Sequence, residues 1–535
     1  NGTTTNAAGD VVIPLGNVTG IRIDTGDGDD TINLIGLGNQ TGDLVIDTGD
    51  GQDVINLGGS TTVSGDVELE AERVFLNLGS ITTDGDIEIN ATDTGDGTAA
   101  GAVVALQIRG FDLTAGGNIT LAGTSGAANG GSVGGNPGIE LTADSDITSG
   151  GNLTVTGIGG NSTDGTNHGV ALYQGSSLNA TGVGNVTIAG TAGVGGSVAS
   201  SNSNGVMFNS ASGVSVVDGT IEIDGTGAAG GGYSDGVELG TGSFLTATGT
   251  GSINVAGTGG GVAGASSTNG VVMSGAAVTT TSGGITLAGT SGVGLNHNRG
   301  VEIAQSTVTT TGGAIEIDGT SLGGAGGGSQ NMGVQITNLS TVAVLAGAGT
   351  LTIDGTAGVA AANTANHGVQ LASSSTVGTV NGNLTVSGTG NGAGSTNRGV
   401  DILNTTVQTS GTGALTIVGT GTQASAAGNS NDGVGISSSL VRTLGTGNLS
   451  VTGNGGTGSK LNMGVRIASA QVRAIGGGTV TVIGIASGAT TGNSNVGVQI
   501  TGATSAVTGA AGSLISGTGG GITSSLGNLN HGVHI

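Results

Sequence analysis

Aliphatic and polar residues alternate with a period of two in short runs throughout this chain. One run has the form x-Ile/Leu-x-Ile/Val-x-Gly-Thr, as in Ala314-Ile315-Glu316-Ile317-Asp318-Gly319-Thr320 and Asn383-Leu384-Thr385-Val386-Ser387-Gly388-Thr389. A second has the form Asn-x-Gly-Val-x-Ile/Leu, as in Asn298-Arg299-Gly300-Val301-Glu302-Ile303 and Asn331-Met332-Gly333-Val334-Gln335-Ile336. Between them lies a Thr/Ser/Val run such as Ser306-Thr307-Val308-Thr309-Thr310-Thr311, which ends in glycines. Period-two alternation is the mark of a half-buried strand, so three short strands are predicted in each unit.

The units repeat. The glycine of the Asn-x-Gly signature recurs at 138, 169, 205, 236, 270, 300, 333, 368, 399, 433, 464, 497 and 532, with a mean interval near 33. A period of that size belongs to a solenoid, whose coils each bury little and are held by their neighbours. Traced backwards, the same strand occurs at Ile21/Ile23, Leu44/Ile46, Val67/Leu69 and Ile87/Ile89, at spacings of 23, 23 and 20. The expected fold is therefore all-β, a right-handed parallel β-helix of about seventeen coils. The handedness is taken from the rule for crossovers between parallel strands. Two continuous regions are expected: an acidic short-coil solenoid over 1–100 and a long-coil solenoid over 101–535. The extra residues of the long coils lie in Gly/Ser/Asn/Ala segments such as 321–330, which should emerge as a strip at one corner.

Ten of the thirteen signatures carry asparagine two places before the glycine: Asn136, Asn167, Asn298, Asn331, Asn366, Asn397, Asn431, Asn462, Asn495 and Asn530. Stacked asparagines can hydrogen-bond amide to amide along the axis and tolerate left-handed turns, which predicts a structural ladder. The adjoining glycine is read as supplying a permissive backbone.

Composition narrows the function classes. The chain has 535 residues with 120 glycines, two prolines, two tyrosines and no tryptophan, which argues against collagen and against ordinary globular cores. Charged residues are only 8%, unlike a disordered chain. No apolar stretch is long enough to span a bilayer as a helix. There is no cysteine and a single lysine, Lys460, so neither disulfides nor a cysteine metal site holds the fold. The net charge of -25 opposes nucleic-acid binding, which depends on clustered lysine and arginine. The chain starts at Asn1 with no export signal, so any such signal is expected upstream or removed. Asn530 to Ile535 opens a fresh coil, which predicts either continuation or end-to-end self-association of copies.

The turns Thr25-Gly26-Asp27-Gly28-Asp29-Asp30-Thr31-Ile32-Asn33 and Thr48-Gly49-Asp50-Gly51-Gln52-Asp53-Val54-Ile55-Asn56 resemble the calcium-binding nonapeptide of the repeats-in-toxin β-roll family, with threonine in place of its first glycine. That resemblance implies Ca²⁺ held by Asp27, Asp30, Asp50 and Asp53 on neighbouring turns, where hard oxygen ligands could share it. The plain alternative is a solvated acidic surface. A third copy, Thr94-Gly95-Asp96-Gly97-Thr98-Ala99, lacks the key aspartate, and no site is expected there. The rest of the chain resembles large secreted exoproteins of the filamentous-haemagglutinin and autotransporter adhesin type, through its Gly/Thr/Asn strand-turn repeats and near lack of lysine and cysteine. The resemblance implies an extracellular or cell-surface prokaryotic protein, with cell-surface or matrix glycans as partners.

A search for chemistry finds outward positions Glu238, Val272, Glu302, Gln335, Gln370 and Asp401 following the signature glycine. Glu238 and Glu302 would lie two coils, ~9.6 Å, apart. That is near the spacing of inverting glycosidases, but no aromatic platform or basic cluster is evident beside them. His168, His367 and His531 share a turn position on distant coils and read as surface residues. Rows of threonine, such as Thr286, Thr352, Thr385 and Thr416, suit β-propensity, and alternatively a flat ice- or glycan-binding face. The expectation is a non-enzymatic structural stalk or fibre segment of a surface adhesin or self-assembling filament. The alternatives are a carbohydrate-active β-helix enzyme and an ice- or glycan-binding module.

Overall fold

The computed structural model describes residues 4–5, 11–12, 19–93, 104–126, 135–162, 166–194, 202–230, 232–262, 264–324, 328–358, 364–423, 428–458, 460–487, 494–520 and 530–535. These form an all-β parallel solenoid in which no helix occurs among the described residues. Thr4–Thr5 and Val11–Val12 pair antiparallel; every other strand pairing described is parallel.

A typical coil consists of Val301–Ala304, Thr307–Thr310 and Ile315–Thr320. The next coil lies on it in strict register: Val301 on Val334, Val308 on Val342, and Ile315 on Leu351. The ladder of the third strand runs unbroken through seventeen strands, from Ile21–Asp24 to Ser513–Thr518. Short and long coils join without a fault, for Ile87–Thr92 pairs directly with Ile119–Thr124. Three strands per coil hold from residue 139 onward. In Val54–Val63, Arg73–Thr83 and Leu106–Ala115 the first two fuse into one strand, because a single left-handed residue, Gly59, Leu78 or Gly110, turns the corner without ending the pairing.

Alternation places the aliphatics inside. Val301, Ile303, Val308, Ile315 and Ile317 are buried, while Glu316 and Asp318 between them are exposed. Each buried aliphatic is worth about 1.5–3 kcal/mol relative to exposure, realised only when a neighbouring coil covers it. Phe111 and Phe208 are the largest side chains of this interior.

The signature glycines have a different reason from the permissive backbone expected of them. Neither Gly300 nor Gly333 has a positive φ. A Cβ on Gly319 would fall far inside contact with the carbonyl of Gly333, and one on Gly333 would strike the amide of Thr356. The glycine closing one strand and the glycine opening the next coil thus pack backbone against backbone. The left-handed turn also belongs elsewhere: it is taken by the residue before most of the ladder asparagines, namely Thr166, His297, Gln330, Ala365, Thr396, Ser430, Leu461 and Ser494.

Three corner ladders satisfy the turns. At the loop corner the asparagine Oδ1 mostly accepts from a backbone N–H one coil back. The amide of Asn136 donates to Asn167 (3.0 Å), Asn331 to Asn366 (2.9 Å), Asn366 to Asn397 (2.9 Å), Asn397 to Asn431 (2.8 Å), Asn431 to Asn462 (3.0 Å) and Asn495 to Asn530 (2.9 Å). Amide-to-amide contacts, the expected mode, supplement this at Asn298 to Asn331 (2.9 Å) and Asn462 to Asn495 (3.3 Å). Where asparagine is missing a hydroxyl serves, as when the Asn167 amide donates to Ser203 at 3.0 Å. The second corner carries buried hydroxyls: the Ser306 amide donates to Ser340 Oγ at 3.2 Å, and Ser340 Oγ donates to the Thr337 carbonyl at 2.6 Å. The third corner is exposed and uses Asp66, Asp86, Asn118 and Asn152, each side chain accepting from the amide one coil ahead.

Candidate functional site

Beside the loop corner the first strand carries two adjoining polar columns. One is formed by the residue just before the signature glycine, following a ladder asparagine or the Ser203, Ser234 or Thr268 that replaces it: His168, Asn204, Asp235, Asn269, Arg299, His367, Arg398 and Asp432. Sequence placed this position on the surface, yet His168, Asn204, Asp235, Asn269, His367 and Asp432 are buried. Burial follows from the turn. In most coils a left-handed residue just ahead of the ladder position, such as Thr166, Tyr233, Ser267 or Ala365, folds the chain back, so the side chain after that position lies along the coil edge and caps an amide of the following coil. The Asn204 amide donates to His168 Nδ1 (3.0 Å), the Asp235 amide to Asn204 Oδ1 (2.9 Å), and the Asn269 amide to Asp235 Oδ1 (2.6 Å).

The second column is the outward position of the first strand, in the register Gln107, Glu140, Ala171, Met207, Glu238, Val272, Glu302, Gln335, Gln370 and Asp401. Cross-column bonds tie the two together. Asn204 Nδ2 donates to Glu238 Oε2 at 2.6 Å, Arg299 pairs with Glu302 at 2.8 Å, and Arg398 bridges Asp401 (2.6 Å) and Asp432 (3.2 Å). Glu238 and Glu302 are two coils apart in the register, but Val272 separates them and each has its own partner.

Burial perturbs these groups. It pushes the Asp235 carboxyl well above the usual carboxylate range, with Glu238 and Glu302 adding repulsion, and it raises Glu238 as well. Burial lowers both His168 and His367 to about 4, so both rings are neutral near pH 7. Asp401 is the reverse: burial works against its charge, but His367, Arg398 and Gln370 together hold it below its ordinary value.

Tyr173, which sequence reading passed over, is with Phe75 an aromatic group of this face. Ala171 stands in the outward column between Glu140 and Met207, and the Tyr173 hydroxyl reaches Met207 Sδ at 3.5 Å. Burial and the carboxylates of Glu140 and Glu238 raise the phenol's pKa. With Phe75, Gln107, Glu140 and His168 it lines a groove of about 340 Å³. The signal was available: Tyr173 is one of two tyrosines and sits two residues beyond an alanine in an outward register. A second groove, about 440 Å³, lies at the hydroxyl corner between Ser374, Asn404, Thr405, Ser438 and Ser469.

The four aspartates of the N-terminal turns occupy adjacent coils but do not share one role. Asp53 is buried and caps the Asp30 amide at 2.7 Å, and its own amide donates to Glu72 at 2.8 Å. Asp27 and Asp50 are exposed, and the Asp50 carbonyl accepts from the Gly28 amide at 2.7 Å. No group of three or more His, Cys, Asp or Glu converges on one point among the described residues. The Thr94 to Ala99 turn lies outside the described residues. His531 is exposed, and its ring stacks on that of His534 with centroids 5.7 Å apart. No helix among the described residues is long and apolar enough to cross a membrane.

Fold and ladders together define a parallel β-solenoid repeat protein. Comparison with protein families, with curated proteins and with solved structures finds no match to this chain.

Proposed function

We propose that the chain is a rigid stalk or fibre segment of an extracellular prokaryotic surface protein, of the adhesin or filament kind, that presents its outer faces to glycans or to further copies. The observation that carries this reading is the unbroken register of the third-strand ladder over seventeen strands. At ~4.8 Å per strand that is a rod about 77 Å long. Such a stack transmits load through parallel backbone hydrogen bonds along its whole length, and every corner adds side-chain bonds parallel to the axis. The surface suits an exposed life. Only nine lysines and arginines occur in the chain, which leaves few basic cleavage points for proteases, and the charge of -25 keeps rods apart in solution. Exposed large aliphatics such as Ile35, Leu78, Val183 and Leu339 are spread over different coils.

Negative-stain electron microscopy of the purified chain tests the reading. Straight rods of about 77 Å or longer are expected. Compact particles, or chains that bend between coils, would overturn it.

A further inference from the structure

We infer that the groove between Phe75 and Tyr173 is a carbohydrate-binding subsite that takes one or two rings of a neutral sugar. Its volume of about 340 Å³ is near the lower end of the ~300–1,000 Å³ of small-molecule sites, which suits one or two rings and not a long chain. Phe75 and Tyr173, both half-buried, line the groove and supply apolar surface against which the C–H side of a pyranose can pack. The polar groups supply what hydroxyls need. Gln107 Nε2 donates to Glu140 Oε2 at 2.8 Å, so an amide and a carboxylate are presented side by side on successive coils. A carboxylate accepts only, and can take two adjacent hydroxyls at once, whereas an amide both donates and accepts.

His168 completes the set. Its Nδ1 accepts the Asn204 amide at 3.0 Å, which fixes the neutral tautomer with the proton on Nε2 and leaves that N–H as the ring's donor. Ligand sign follows from charge. Among the described residues neither lysine nor arginine lines the groove, Glu140 does, and Glu238 lies close enough to act on the same tyrosine. A uronate, sialic acid or sulfated sugar would meet like charge without a cation to offset it.

The inference rests on the glycan-presenting part of the proposed reading and deepens it, while its failure leaves the rod untouched, since a rod without this subsite remains a rod. The test is saturation-transfer NMR on the full chain with methyl glycosides of glucose, galactose, mannose and N-acetylglucosamine, and with glucuronate and sialic acid as anionic probes. At least one neutral glycoside should bind saturably and the anionic probes should not. Glu140→Gln and Tyr173→Ala should each weaken binding about tenfold, or ~1.4 kcal/mol, while Tyr173→Phe and the distant Gln335→Ala retain it. Glu140→Gln is isosteric, so it keeps the test open if Tyr173→Ala fails to fold. Absence of binding by every neutral glycoside, binding unchanged in Glu140→Gln, or equal binding of the anionic probes would each overturn the inference.

Discussion

Replacing Asn331 by alanine isolates what the loop-corner ladder contributes. Asn331 is fully buried, and its Oδ1 accepts two bonds, from the Asn298 amide (3.1 Å) and from Asn298 Nδ2 (2.9 Å). Its Nδ2 donates to the Leu295 carbonyl at 3.0 Å. Asn331→Ala keeps the bond from its own amide to Asn366 but removes those three. At about 1 kcal/mol net per bond, the loss is about 3 kcal/mol, with buried donors left unpaired as the larger part. The exposed corner provides the control. Asn152 Oδ1 accepts the Asn185 amide at 3.0 Å in the same kind of ladder, but water can replace it there, so Asn152→Ala should cost under about 0.5 kcal/mol.

Because a long repeat array does not unfold as one unit, the measurement is amide-resolved hydrogen exchange rather than a single denaturation midpoint. Protection of the Asn298 amide should fall by about two orders of magnitude in Asn331→Ala, the exchange equivalent of ~3 kcal/mol. Protection several coils away should not change, since coupling runs between neighbours. Asn331→Ser should fall between parent and alanine, because Ser203 fills this position for the Asn167 amide. Protection of Asn298 within threefold of the parent, or an equal loss in Asn152→Ala, would refute the assignment of ladder strength to burial.

The glycine contact makes a paired prediction. Gly319→Ala forces a Cβ into the Gly333 backbone and should cost about 3 kcal/mol or more, whereas Gly312→Ala, whose Cβ meets nothing nearer than 3.9 Å, should be neutral or stabilise by about 0.4–1 kcal/mol; amide-resolved hydrogen exchange in the coils around each substitution separates them. A pH prediction follows from the buried imidazoles. Folded His168 and His367 resist protonation down to about 4 whereas unfolded ones protonate near 6.5, so the unfolded state binds more protons between these values. Their stabilising contribution is therefore full above 6.5 and is lost as pH falls toward 4. Asp235, raised by burial, acts in the opposite sense, favouring the fold at low pH and opposing it as pH rises past 3.8. The parent should accordingly lose more stability from pH 7 to pH 4.5 than His168→Gln does, and equal losses would remove the histidine from the explanation.

Much of the architecture was legible in the residues. Period-two runs such as Ile315/Ile317 are a local pattern with one outcome, since the side chains of a strand alternate faces. Strict recurrence of Asn-x-Gly and Gly-Thr defined which strands stack, and so predicted the ladders and the direction of growth. What remained hidden depends on contacts between residues about 30 positions apart. Gly319 and Gly333 look like turn glycines until the coil closes and brings their backbones together. His168 and Asp235 look exposed because a turn position is usually wet; the left-handed residue upstream and the coil stacked above are what bury them. Tyr173 shares a groove with Glu140 and reaches Met207 only because three coils stack in register, Glu140 and Met207 lying on either side of Ala171. The aspartates at 27, 30, 50 and 53 show the same limit. Their spacing placed them on adjacent turns, but only the tertiary structure decided that Asp53 turns inward to cap an amide while Asp27 and Asp50 face water. Alternation within a strand is dictated by the chain's own geometry, whereas the company a side chain keeps along the axis is set by how each coil closes, and that is decided by stacking.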